Sequence, residues 1–147
     1  IYTSGTTGLP KAAVFNNGRW MKAYGGLGFT LNLTDRDVLY ATLPFYHATA
    51  MVVCWGAVIA GNSALALRRK FSASEFWDDV RKYNATAFGY VGELCRYLLE
   101  RPASPQDLDN KVSKIVGNGM RPNIWKTFKD RFDIEEVAEL YASSEGN

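Results

Sequence analysis

Short apolar runs of strand length alternate along this chain with stretches whose apolar residues recur at helical spacing. Residues 38–43 (VLYATL) read as a strand, and the apolar run 48–60 reads as a helix buried in a soluble core. Residues 63–67 are expected to form the next strand. Ser72 and Glu75 stand in the S-x-x-E order of a capping box, and Phe76, Trp77, Val80 and Tyr83 follow at helical spacing. A strand is expected over 86–91, a helical stripe at Leu94, Cys95, Leu98 and Leu99, and a short strand over 114–116. Pro122 suits the first turn of a helix whose Ile124, Trp125, Phe128 and Phe132 share a face, and 136–141 reads as the last strand. Residues 101–110, with two prolines, read as a loop too short to separate domains. This alternation predicts one α/β layered fold, a largely parallel sheet flanked by helices. The helical stripes, with Trp55, Trp77 and Trp125, are expected in the core.

Composition narrows the class. At 47% hydrophobic and 22% charged, the 147 residues are globular and not disordered or fibrous. A net charge of +2 with no basic stripe interleaved with aromatics gives no reason to expect a nucleic-acid partner. The densest basic run, Arg68-Arg69-Lys70, reads as a solvated edge. The run 48–60 is shorter than the ~20 residues a membrane helix needs, so any membrane association is expected from parts outside this chain. Cys54 and Cys95 lie far apart among apolar neighbours, and His47 is the single histidine, so no zinc-ligand set is present. Two buried thiols suit a reducing compartment, hence an intracellular, cytoplasmic or cytoplasmic-face location.

In parallel α/β sheets, ligands sit at the loops beyond the strand ends. Three chemically distinctive segments are expected there: YTSGTTGLPK at 2–11, GNGMRP at 117–122 and YASSEGN at 141–147. The first concentrates glycines, hydroxyls and Lys11, the composition of a polyphosphate grip or of a plain surface turn. A Walker A loop is excluded. Lys11 follows Pro10 and not Gly, no hydroxyl follows Lys11, and the next residues read as a strand. The stretch therefore predicts a hairpin-type connection between two strands.

The order of residues in YTSGTTGLPK resembles the phosphate-binding signature of the adenylate-forming enzymes: acyl-CoA synthetases, luciferases and peptide-synthetase adenylation domains. LPFYHA at 43–48 and YASSEG at 141–146 resemble two further family segments in the same order. KFSASEFWDDVRKYNAT at 70–86, GELCRYLL at 92–99 and GNGMRP resemble the fatty acid transport protein and very-long-chain acyl-CoA synthetase branch. The resemblance covers essentially the whole chain.

It implies ATP-dependent activation of a long- or very-long-chain fatty acid through acyl-AMP to acyl-CoA, with coenzyme A as co-substrate. It further implies that Thr3, Ser4, Gly5, Thr6, Thr7 and Gly8 form the loop holding the β- and γ-phosphates, supported by Lys11. Tyr141 would lie against the adenine, with Gly117, Asn118 and Gly119 lining the other side. Ala142, Ser143 and Ser144 would continue the nucleotide-binding segment. Ser144 stands where the family has Thr near the α-phosphate, and Ala142 stands where it has Gly. Glu145 would hold Mg²⁺, an ion usually bound by one or two carboxylates plus phosphate oxygens. His47 has two readings, a satisfied core histidine or a functional one that neighbours the fatty-acid carboxylate or gates the acyl tunnel. The implied catalytic set is thus Lys11, His47, Ser144 and Glu145. Two other readings stand beside this one: a ligase for an aryl or bile acid, and a non-catalytic nucleotide-binding or fatty-acid uptake component.

Residue 1 already lies within an apparent strand, and 141–147 reads as a loop leaving one. The expectation is therefore a piece of the large N-terminal AMP-binding domain, without the C-terminal domain. By itself it is expected to be inactive and to expose apolar surface.

Overall fold

The computed structural model describes residues 2–3, 9 and 11–141. Strands β1 (Tyr2–Thr3) and β2 (Lys11–Ala12) pair antiparallel, with Thr3 opposite Lys11. This is the expected hairpin-type connection. Helix α1 (Asn17–Leu27) follows, a helix that the apolar pattern does not announce. Its three glycines lower helix propensity. What starts it is a cap: the Asn16 side chain accepts from the Arg19 N–H at 2.8 Å.

Strand β3 (Val38–Ala41) leads through a loop to a π-helical turn, Thr49–Cys54, that runs on into α2 (Trp55–Gly61). The expected helix over 48–60 is present, with a wider first half. The Trp20 indole N–H of α1 donates to the Met51 carbonyl inside that half at 3.1 Å. Then come β4 (Ala64–Leu67), α3 (Phe76–Lys82), β5 (Ala87–Val91), α4 (Gly92–Leu99), a 3₁₀ turn at Pro105–Leu108, β6 (Lys114–Asn118), α5 (Pro122–Phe132) and β7 (Glu136–Glu139).

The main sheet has the order β4-β3-β5-β6-β7, and all its pairings are parallel. Side chains alternate between its faces, as strand geometry demands. Tyr40, Phe88, Tyr90 and Ile115 join Phe76 and Val80 of α3, Leu94 and Leu98 of α4, and Phe128 and Phe132 of α5 in one core. Leu39, Ala41, Ala87 and Val116 join Val53, Cys54, Ala57 and Val58 in the other. The sheet is therefore covered on both faces. Gly89 permits the second layer to seat, because a Cβ there would lie 2.2 Å from the Cys54 Sγ. Both cysteines are buried and unbridged, as expected.

Four expectations are corrected. The Ser72–Glu75 capping box does not form. Helix α3 begins at Phe76 with Glu75 as its N-cap residue, and Ser72 Oγ instead meets Ser74 Oγ at 3.1 Å. Arg68 is the reason: its guanidinium pairs with both Glu75 and Asp79, and charged pairing outweighs a neutral contact. Arg68 is for the same reason not a simply solvated edge residue. A capping box forms instead at Ser104 and Asp107, inside the stretch read as a loop. Finally, Trp55 is 37% exposed and meets the Phe45 ring edge-on, whereas Trp77 and Trp125 do pack against the core.

Candidate functional site

Strands β5, β6 and β7 end side by side at the C-terminal edge of the sheet, where parallel α/β sheets bind ligands. The register sets Val91 level with Asn118, and sets Gly117 level with both Tyr90 and Glu139. Tyr90, Gly117 and Glu139 therefore form one row across three strands. Gly117 has no side chain to separate its neighbours, so the Tyr90 hydroxyl donates across it to Glu139 Oε2. A Cβ on Gly117 would lie 2.7 Å from Tyr90 Cγ and 2.1 Å from the Tyr90 carbonyl oxygen. Burial, then the hydrogen bond to Glu139 and its negative charge, push the Tyr90 hydroxyl well above the ordinary tyrosine range. It stays a proton donor at neutral pH.

The other carboxylate oxygen, Oε1, accepts from the Gly119 N–H and from the Met120 N–H at 3.2 Å. Gly119 has φ +78°, a left-handed conformation that glycine adopts without penalty. The turn it makes also touches the start of α4. Glycine at position 92 lets the two backbones approach this closely. The Leu140 N–H donates to the Gly117 carbonyl at 2.9 Å and carries β7 toward Tyr141, which is fully exposed. The structure thus brings Gly117, Asn118, Gly119 and Tyr141 to neighbouring strand ends.

The 43–48 segment follows β3 at the same edge. His47 is exposed there, not a core histidine. Its backbone N–H donates to the Pro44 carbonyl at 2.8 Å, and its Nδ1 accepts from the Thr49 N–H at 3.2 Å. The ring therefore caps the helix that opens at Thr49. With Nδ1 accepting, the neutral ring carries its proton on Nε2. Thr42, just past β3, is 2% exposed, and its hydroxyl has no hydrogen-bond partner among the described residues.

Lys11 is exposed on β2, and Thr3 lies opposite it on β1. These strands form a sheet separate from the five-stranded one. Ser4, Gly5, Thr6, Thr7, Gly8, Ala142, Ser143, Ser144 and Glu145 lie outside the described residues. Among the described residues, no group of three or more His, Cys, Asp or Glu could hold a metal ion, and no helix is long and apolar enough to cross a membrane.

Sequence reasoning passed over Tyr90, Gly92 and Glu139. Their importance lies in cross-strand register, which a single chain does not display. The available signal was weak: a glycine directly after a strand, and an acidic residue ending one.

Residues 1–147 match the family model described as AMP-binding enzyme. The chain is 51% identical to the medium/long-chain-fatty-acid–CoA ligase FadD6 of Mycobacterium tuberculosis, over 100% of this chain and 25% of that protein. It is 50% identical to long-chain fatty acid transport protein 2 of Rattus norvegicus, over 100% of this chain and 24% of that protein. The chain thus spans about a quarter of the length of the curated relatives it matches. Its fold is that of ATP-bound MatB from Rhodopseudomonas palustris, with TM-score 0.82 and 22% identity over 99% of this chain and 29% of that one. A fatty acyl-CoA synthetase of Mycobacterium tuberculosis superposes with TM-score 0.77 and 22% identity over 98% and 28% of the two chains. Its whole length lies within the family model, and half its residues are shared with a fatty-acid–CoA ligase: the chain belongs to the AMP-binding enzyme family.

Proposed function

We propose that the polypeptide carrying this chain activates a long- or very-long-chain fatty acid with ATP, through acyl-AMP, to acyl-CoA. Residues 1–147 are part of its N-terminal AMP-binding domain. The observation that carries this reading is the 51% identity to a fatty-acid–CoA ligase across the full chain.

The adenine lies between Tyr141 and the Gly117–Asn118–Gly119 backbone. This is supported by an exposed Tyr141 and by room beside Gly119, where among the described residues a Cβ would meet the Gly92 nitrogen alone, at 3.8 Å. Thr3 to Gly8 and Lys11 hold the β- and γ-phosphates, and Ala142, Ser143 and Ser144 follow the chain toward the α-phosphate. Glu145, with phosphate oxygens, is the donor set that Mg²⁺ takes beside a nucleotide. The ion supplies charge neutralisation between two anions when bound.

The fatty-acid carboxylate is already ionised near pH 7, so its attack on the α-phosphorus requires no base. Pyrophosphate leaves. The thiol of coenzyme A then attacks the acyl carbon and AMP leaves. His47, with Nδ1 engaged by Thr49, presents Nε2–H as a donor to the carboxylate. The location is intracellular, in the cytoplasm or at the cytoplasmic face of a membrane, because two buried free thiols suit a reducing compartment.

One observation favours a second reading, a fatty-acid uptake component: a relative at 50% identity is named a transport protein. Lys11→Ala and Glu145→Ala in the full-length polypeptide separate the two. The ligase reading expects fatty-acid-dependent ATP–pyrophosphate exchange in the wild type and its loss in both variants. Exchange driven by aryl or bile acids but not by fatty acids, or uptake that persists undiminished in both variants, overturns it.

A further inference from the structure

We infer that Glu139 is a positioning residue for the nucleotide: its carboxylate fixes the height of the Gly119 turn above the sheet edge, and with it affinity for ATP. This rests on the reading above that Gly117, Asn118 and Gly119 line the adenine.

The geometry is specific. Glu139 ends β7 and sits level with Gly117 of β6. One carboxylate oxygen gathers the N–H groups of Gly119 and Met120. The other accepts from Tyr90, two strands away. The turn is thereby held from the β7 side by Glu139 and from the α4 side by Gly92. A ligand that reads backbone atoms at 117–119 depends on where that backbone stands. Gly117 and Gly119 have no side chain to offer, so at those two positions only the backbone can meet the ligand. Glu139 acts only through the turn, so it touches no reacting atom.

Removing the carboxylate leaves the Gly119 and Met120 N–H groups and the Tyr90 hydroxyl without their acceptor, and the turn is free to rise or peel away. Glutamine at 139 preserves the pattern. Its Oε1 can accept from the two amides, and its Nε2 can donate to the Tyr90 oxygen.

The test is fatty-acid-dependent ATP–pyrophosphate exchange by the full-length polypeptide. It is joined to direct ATP binding and to hydrogen exchange of the 117–121 peptide. E139A is expected to raise KM for ATP about tenfold, the effect of losing hydrogen bonds to a charged acceptor. The kcat and KM for the fatty acid stay within about twofold. E139D draws the carboxylate back by one methylene and is expected to raise the same KM, so the test survives if E139A does not fold. E139Q is expected to return it most of the way to wild type. Amide exchange in the turn should quicken in E139A and E139D, and not in E139Q. Wild-type KM for ATP in both E139A and E139D overturns the inference. So does a uniform loss in all parameters that E139Q does not rescue. A wild-type polypeptide that binds no ATP overturns the functional reading itself, and this inference with it.

Discussion

A Cβ on Gly92, the first residue of α4, would lie 1.7 Å from the carbonyl oxygen of Gly119, the residue that turns the chain off β6. Helix α4 and the β6 turn therefore meet backbone to backbone. No side-chain rearrangement can relieve such a contact. Gly92→Ala should cost about 1–3 kcal/mol as overpacking, read from the denaturant midpoint of the purified polypeptide. It should also displace the turn. A variant as stable as wild type would show that the two backbones separate freely.

Gly89 and Cys54 are coupled across the opposite face of the sheet. Gly89→Ala sets a Cβ 2.2 Å from the thiol sulfur and should cost about 1–3 kcal/mol. Cys54→Ala removes the obstructing atom. The double variant should recover at least about 1 kcal/mol relative to the sum of the single changes. Additive losses in urea melts would contradict the contact. Burial also pushes the Cys54 thiol up to about 12, so it should resist alkylation near neutral pH until the chain opens.

Asp79 predicts the acid arm of the stability curve. Burial works to raise its pKa, but the Tyr40 hydroxyl at 2.7 Å, the Arg68 guanidinium and the charge of Lys82 together hold the carboxyl below the usual aspartate value. A group with a depressed folded pKa contributes stability above its unfolded value, near 4. That stability is lost as pH falls through the lower, folded value. Asp79→Asn should cost about 2 kcal/mol at pH 7 and flatten the loss of stability below about pH 4. Thermal melts of both proteins from pH 7 downward check this. Parallel curves would show that Asp79 titrates alike folded and unfolded.

His47 separates a structural from a chemical role. Alanine removes the acceptor for the Thr49 N–H and should cost about 1 kcal/mol, the worth of a helix cap. Asparagine retains a cap acceptor and should restore the stability. If Nε2–H serves the carboxylate as proposed, both variants lose kcat/KM for the fatty acid. Full activity in His47→Asn would leave the ring with the cap alone.

Much of the fold was legible because its elements carry their own periods. The strands lie within a few residues of where the apolar runs place them, and Pro122 does open α5. Where local reading failed, a longer-range contact had taken over. Glu75 is drawn to Arg68 and abandons the box with Ser72. Helix α1 survives three glycines on a cap and on Trp20, whose ring stacks on Tyr24 and whose indole reaches Met51. Of the candidate site, Gly117, Asn118, Gly119 and Tyr141 do assemble at neighbouring strand ends.

By itself, the amino-acid sequence determined the α/β class and the family, and it marked three segments as the candidate site. Each is written in consecutive residues: a period of two or of 3.6, or a fixed order such as YTSGTTGLPK. Only the tertiary structure decided that Tyr90, Gly117 and Glu139 stand in one row, and that Gly92 meets Gly119. Those relations depend on strand register, which brings together residues 22 to 49 positions apart, and no local pattern encodes a register.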